Sequence, residues 1–189
     1  MMADRYKTGI VVVAPSPHWA EQYRAVAADL ATVLAHVPVE AIEHVGSTSV
    51  PGLPAKPILD IDIIVQRDNL QPAIQALEQT GYRHCGDLGV TDREVFEAPD
   101  ESPSRNVYLC VANTLHVRNH LAVRDVLRER PDLRDRYGAV KLQLATQPGM
   151  GITKYLAGKS TILQEILALS NLTAEEKQTI FMLNTRTGS

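Results

Sequence analysis

Asp60 and Asp62 stand two apart in the run Ile58-Leu-Asp-Ile-Asp-Ile-Ile-Val65. Side chains alternate along an extended strand, so both carboxylates project from one face, with Cα atoms ~6.6 Å apart. Ile58 and Ile64 flank them there, while Leu59, Ile61, Ile63 and Val65 make the other face wholly apolar. A strand of this kind belongs in the middle of a sheet, where two neighbouring like charges raise a pKa or demand a counter-charge. Two readings meet that demand. A divalent cation with oxygen ligands, magnesium or manganese, neutralises both acids at once. Alternatively, the acids lie at the solvated end of the strand or pair with arginines.

Gly46-Ser47-Thr48-Ser49 follows the strand expected over 39–45. Glycine after a strand lets the backbone turn with positive φ or approach a ligand closely. Hydroxyls and N–H groups in such a turn can hold phosphate oxygens, although a lone Gly-Ser is more often a plain turn. The spacing shifts that balance, because only twelve residues separate Ser47 from Asp60. A phosphate cradle beside a two-carboxylate metal site is what phosphoryl or nucleotidyl transfer needs. Lys56, between the two motifs, is either a phosphate contact or a solubilising surface charge. Arg93 and Arg105 could close over a triphosphate, but surface salt bridges are their expected fate. His44 reads as structural. His116 and His120 have metal-compatible i, i+4 spacing, but no Glu stands between them in the zincin arrangement and no third ligand is evident, so no zinc site is expected. The seven basic residues from Arg118 to Lys141 interleave with four acids and read as a solvated helical face, a basic wall for an anionic substrate being the lesser reading.

The elements that must carry these residues alternate at first and then become helical. Ile10–Ala14 reads as a strand or an extended arm. A helix is expected from the Ser16-Pro17 start to about His36, and another over 70–80 with Gly81 as its stop. Strands are expected over 39–45 and 58–65, with short ones over 82–85, 94–98 and 106–111. Helices follow over 117–130, 132–146, 153–170 and 173–183, the last opening with the capping box Thr173-Ala-Glu-Glu176. A frayed tail is expected from Arg186 to Ser189. This order predicts an α+β fold: a small mixed sheet with helices on one side, then a helical C-terminal part. Residues 1–113 would form the core and 114–189 the helical part packed on it as one compact unit.

Composition narrows the function classes. The 189 residues carry a net charge of −3, with 44% hydrophobic and 22% charged residues, which fits a globular chain and excludes a disordered one. No bulk positive field exists to hold a nucleic-acid backbone, and 5% aromatic residues offer little for base stacking, so general nucleic-acid binding is not expected. No apolar run reaches membrane-spanning length, and the run over 10–14 is too short for a signal sequence. Cys85 and Cys110 make neither a zinc motif nor a disulfide framework, so buried free thiols in a cytoplasmic protein are expected.

The stretch Glu43-His-Val-Gly-Ser-Thr-Ser-Val-Pro-Gly-Leu-Pro-Ala-Lys-Pro-Ile-Leu-Asp-Ile-Asp-Ile63 resembles the signature of the GrpB family, within the polymerase-β-like nucleotidyltransferase fold superfamily. The likeness continues through Asn106–Val111, His120–Asp125, Tyr137 with Lys141, and Tyr155–Lys159, and covers roughly residues 10 to 183. It implies Gly46, Ser47 and the adjoining Thr48 at nucleotide phosphates, Asp60 and Asp62 on magnesium, and Lys159 reaching the nucleotide from the helical part. The resemblance also exposes a departure. Active enzymes of this fold usually place a third carboxylate on a later strand, whereas Asn106, Tyr108 and Cys110 carry no acid. Glu94 and Glu97 on a neighbouring strand are the candidate substitutes. The leading expectation is a magnesium-dependent nucleotidyltransferase moving a nucleoside monophosphate from a nucleoside triphosphate to an acceptor. The rival is a non-catalytic nucleotide- or phosphometabolite-binding module.

Overall fold

A computed structural model of the chain describes residues 10–186. Helix α1 (His18–Val33) leads into strand β1 (Val39–Val45), a single 3-10 turn at Ser47–Ser49, and strand β2 (Leu59–Val65). Helix α2 (Leu70–Gln79) precedes β3 (Arg83–His84), β4 (Arg93–Glu97) and β5 (Arg105–Val111). Five helices complete the chain: α3 (Leu115–Glu129), α4 (Pro131–Ala145), α5 (Ile152–Gly158), α6 (Ser160–Ala168) and α7 (Ala174–Arg186). The last three residues of the expected tail, 187–189, lie outside the described residues.

The strands form one mixed sheet in the order β1-β2-β5-β4-β3. β2 is an interior strand, antiparallel to β1 and parallel to β5. Its alternation sorts the sheet into two faces. Leu59, Ile61, Ile63 and Val65 join Val107, Leu109 and Phe96 in a core closed by Trp19, Val26 and Leu30 of α1 and by Ala73, Ile74 and Leu77 of α2. Full burial of each of these side chains contributes roughly 1.5–3 kcal/mol, which fixes the register of β2 and therefore which way its acids point. The opposite face is covered too. Ile64 and Cys110 pack under Val117 of α3, so the helices lie on both sides of the sheet and not on one alone.

Two local departures position functional groups. The expected helix over 153–170 is broken into α5 and α6 at Gly158-Lys159. A Cβ on Gly158 would stand 2.6 Å from Leu144 Cδ2, so this glycine lets α5 lie directly against α4. Among the described residues the N-terminal arm makes one bridge, Val13 to Ala55, with N···O distances of 2.9 and 3.1 Å. That bridge pins the loop residue immediately before Lys56. The expected capping box is present: Glu176 N–H donates to Thr173 Oγ1 at 3.2 Å, and Thr173 N–H to Glu176 Oε2 at 2.8 Å. Among the described residues no helix is long and apolar enough to cross a membrane.

Candidate functional site

The pairing of β2 with its neighbours decides what surrounds the acids. Asp60 sits opposite Val45 of β1 and Asn106 of β5, and Asp62 opposite Glu43 and Tyr108. Both carboxylates therefore face the side that carries α3. Asp62 is fully buried and Asp60 half-buried. Asp60 Oδ1 accepts a hydrogen bond from Asn106 Nδ2 at 2.8 Å. Burial, with a smaller push from Asp62, raises the Asp60 pKa, against the pull of Asn106, His120 and Lys56. Asp62 Oδ2 lies 2.9 Å from His120 Nδ1, whereas Asp62 Oδ1 is buried with no hydrogen-bond partner.

The serine-bearing turn closes on the same carboxylates. Gly46 has φ 68° and ψ −172°, a conformation essentially confined to glycine. A Cβ there would stand 2.2 Å from Asp60 Oδ2, so the turn and the acid are in direct apposition. Gly46→Ala should therefore cost the ~1–3 kcal/mol of backbone strain and in addition displace Asp60. Gly46→Ala in an Asp60→Ala background keeps the strain and removes the carboxylate that the new Cβ would strike. Denaturant unfolding should show the larger loss from Gly46→Ala when Asp60 is present; equal losses would mean that Asp60 does not need this glycine.

Within the turn the side chains diverge. Ser47 is hydrogen-bonded to Tyr137 of α4, on the acid side. Thr48 Oγ1 is instead 3.0 Å from His44 Nε2 and donates to the Ile58 carbonyl at 3.3 Å. Its hydroxyl is thus committed to holding the turn onto β1 and β2. His44 stacks on Tyr23 with 4.6 Å between ring centroids, and burial, then Arg128 and Arg124, push its pKa down to about 4. It is the structural residue expected.

Three lysines converge beside Ser47 and Asp60. Lys141 of α4 is 1% exposed, and its Nζ has no hydrogen-bond partner. Its ammonium lies 4.7 Å from the Tyr137 ring centroid. Lys159, at the α5–α6 break, lies 4.6 Å from the Tyr155 ring centroid, and Lys56 lies 5.9 Å from that same centroid. Burial drives the pKa of Lys141 down to about 6, helped by the charges of Lys159 and Lys56. Burial likewise lowers Lys159 to about 8, against the pull of Asp60. Lys56 is lowered by burial and by Lys159. Three crowded, desolvated amines, which an incoming anion would hold protonated, around a hydroxyl-bearing turn make a strong site for a compact polyanion.

Several expected contributors lie elsewhere. Arg105 is in register with Leu59 and faces the apolar side, where Asp100 chelates it at 2.9 and 2.8 Å; it does not close over the acids. Arg93 does face the acid side, but its guanidinium lies over the Tyr108 ring at 5.2 Å. Neither candidate third acid serves. Glu94 is paired with His84 at 2.7 Å, and Glu97 with Arg83 at 3.0 Å. Asn106 occupies the position beside Asp60 instead. The expected solvated face holds only in part: Arg130, Arg134 and Arg136 pair with acids at the surface, whereas Arg124 turns inward to Glu43 and the His44 carbonyl and Arg128 donates to the Ser49 carbonyl of the turn. Lys141 is the member of that segment the charge pattern hides. A usable signal existed: Tyr137 and Lys141, like Tyr155 and Lys159, are four apart, which puts each ammonium over the ring one helical turn away. A cavity of about 970 Å³ lined by Trp19, Tyr23, His44 and Arg128 opens on the α1 side of the turn, not on the acids.

Known proteins share this arrangement at the level of fold. The family described as GrpB protein matches residues 9–169. The UPF0157 protein BH1888 of Halalkalibacterium halodurans is 32% identical over 170 residues, spanning 89% of this chain and 86% of its own. The crystal structure of the conserved protein GrpB from Enterococcus faecalis superposes with a TM-score of 0.72 at 33% identity, covering 84% of this chain and 98% of that one. The Cid1 poly(U) polymerase bound to MgATP gives a TM-score of 0.51 at 15% identity over 87% of this chain and 54% of that chain, a likeness of fold alone. The mixed sheet with flanking helices is a fold shared with the Cid1 poly(U) polymerase, and the chain belongs to the GrpB family.

Proposed function

We propose that this protein binds a nucleoside triphosphate at the Ser47 turn and transfers its nucleoside monophosphate to an acceptor. The observation that carries this reading is the convergence of Lys56, Lys141 and Lys159 on the turn that abuts Asp60. Segment 1–113 supplies the acids, Ser47 and Lys56, and segment 114–189 supplies Lys141 and Lys159. The lysines and Ser47 bind the β- and γ-phosphates, and Tyr137 orients the Ser47 hydroxyl. Asp60 and Asp62 would hold magnesium or manganese. The buried, unpartnered Asp62 Oδ1 and the all-oxygen donor pair fit such an ion. When bound, it would neutralise charge on the phosphate oxygens. An acceptor nucleophile then forms a bond to the α-phosphorus as the bond to the pyrophosphate oxygen breaks. Free thiols at Cys85, which is half-buried, and Cys110, which is buried, suit a cytoplasmic protein.

A second reading has its own observation. Asn106 stands where a third acid would take the acceptor's proton, and it donates to Asp60 Oδ1. That favours a binding module without transfer. Incubation with labelled ATP, CTP, GTP or UTP and magnesium separates the two. Pyrophosphate release supports transfer; magnesium-dependent binding without turnover supports the module; no binding of any of the four defeats both.

A further inference from the structure

His116 and His120 have the i, i+4 spacing of metal ligands, and the fold brings them the third group the sequence alone did not reveal. α3 crosses the acid face of the sheet, so its first turns lie over β2 and β5. The His120 ring is 2.9 Å from Asp62 Oδ2, and the two imidazole centroids are 4.0 Å apart. One donor atom from each of Asp62, His116 and His120 lies within 4.8 Å of the others. Two buried atoms of this cluster lack any partner: Asp62 Oδ1, in a side chain with 0% exposure, and His116 Nε2. An unpaired carboxylate oxygen and an unpaired imidazole nitrogen each cost about 1–3 kcal/mol when left so.

We propose that Asp62, His116 and His120 form a site for a nitrogen-preferring divalent transition metal of the zinc class. Two imidazole nitrogens and one carboxylate are the donor set of an open zinc site, with a position left for water or a ligand. Metal–nitrogen bonds of about 2.0–2.1 Å bring tetrahedral donors ~3.3 Å apart, so small side-chain rotations close the cluster on an ion. The ion takes the place of the proton in the His120–Asp62 hydrogen bond. Arg93 also faces the cluster, so a dication there meets a guanidinium as well as a carboxylate. Charge attraction alone is therefore weak at this place. The gain must come from bonds to imidazole nitrogen, which zinc and cobalt make and magnesium and calcium do not.

The site shares Asp62 with the magnesium pair of the proposed function, but it is tested without nucleotide, where a carboxylate pair lacking phosphate ligands holds magnesium too weakly to displace a nitrogen-bound ion; it does not rest on nucleotide binding. The test is titration of the full, metal-free chain with Co2+, followed by competition with Zn2+ and with excess Mg2+, without nucleotide. The expected result is a saturable visible absorption band at one equivalent, removed by Zn2+ and untouched by Mg2+. His116→Gln and His120→Gln should each lower Zn2+ affinity about 100-fold or more, since even outer partners of metal ligands are worth 10–100-fold. Thermal melts establish that each variant is folded. Asp132→Asn, an exposed acid outside the cluster that is paired with Arg130, should keep the Co2+ band. No band at saturating Co2+, a band displaced by Mg2+, or a band unchanged in folded His116→Gln would each overturn the site.

Discussion

Lys141→Met is expected to raise the melting temperature of the free protein while reducing triphosphate affinity about 10- to 100-fold. Both effects follow from one ammonium that is 1% exposed and has no hydrogen-bond partner. A Lys pKa lowered from 10.5 to about 6 means that at pH 7 folding must strip a proton the unfolded chain keeps. At 1.36 kcal/mol per unit this is a penalty of order 4 kcal/mol, and methionine has similar length without the charge. Recovery of half of it would move the midpoint by about 5 °C in a chain of this size. The same substitution deletes a charge-assisted contact to phosphate, worth about 1.5–3 kcal/mol, which gives the loss in affinity.

The pH dependence has a fixed sign. Below about pH 6 Lys141 is protonated folded and unfolded, and its penalty is complete. Between about 6 and 10.5 only the unfolded chain holds the proton, so this group's contribution to stability rises with pH, by up to ~1.4 kcal/mol per unit. Lys141→Met should flatten that slope. A bound polyanion reverses the depression, so triphosphate binding near pH 8 should take up about one proton, visible as a buffer dependence of the calorimetric enthalpy. Unaltered affinity in a stabilised Lys141→Met protein would make this lysine a packing residue and remove the main support for a triphosphate site.

The contrast between Lys141 and Asp60 shows what the sequence could and could not disclose. Alternation in 58–65 was enough to place both acids on one face, because a single-residue slip would expose Leu59, Ile61, Ile63 and Val65. The glycine before Ser47 was legible for a similar reason, since its conformation is a local property of the backbone. The helix break at Gly158 was not: the reason for it is Leu144, a partner from another helix. Lys141 and the histidine pair were hidden in the same way. Their surroundings are assembled only when the helical part packs on the sheet; Tyr137 one turn before Lys141 was the single local sign, and two histidines lacking a nearby third ligand carried none. Arg105 took the salt-bridge fate expected of it, with Asp100, and its register with Leu59 sends it to the apolar face.

Asp60→Asn should split the two halves of the site. Asp60 is the carboxylate that offsets the Lys56 and Lys159 charges, and it is also one of the two proposed oxygen donors to magnesium. Its neutralisation leaves the three lysines with a stronger positive field, so inorganic tripolyphosphate without metal should bind more tightly, by about 3- to 10-fold, since ~1 kcal/mol is the scale of one screened charge at such distances. Asparagine cannot supply an anionic ligand, so the additional affinity that magnesium confers on a nucleoside triphosphate should disappear. The fold should persist: burial already raises the Asp60 pKa, and the neutral amide can still accept from Asn106. Calorimetry with tripolyphosphate alone and with nucleoside triphosphate plus magnesium reads the two effects separately. Weaker metal-free binding would show that Asp60 organises the pocket through Gly46 and not through its charge, and a magnesium effect that survives would place the cation away from this acid.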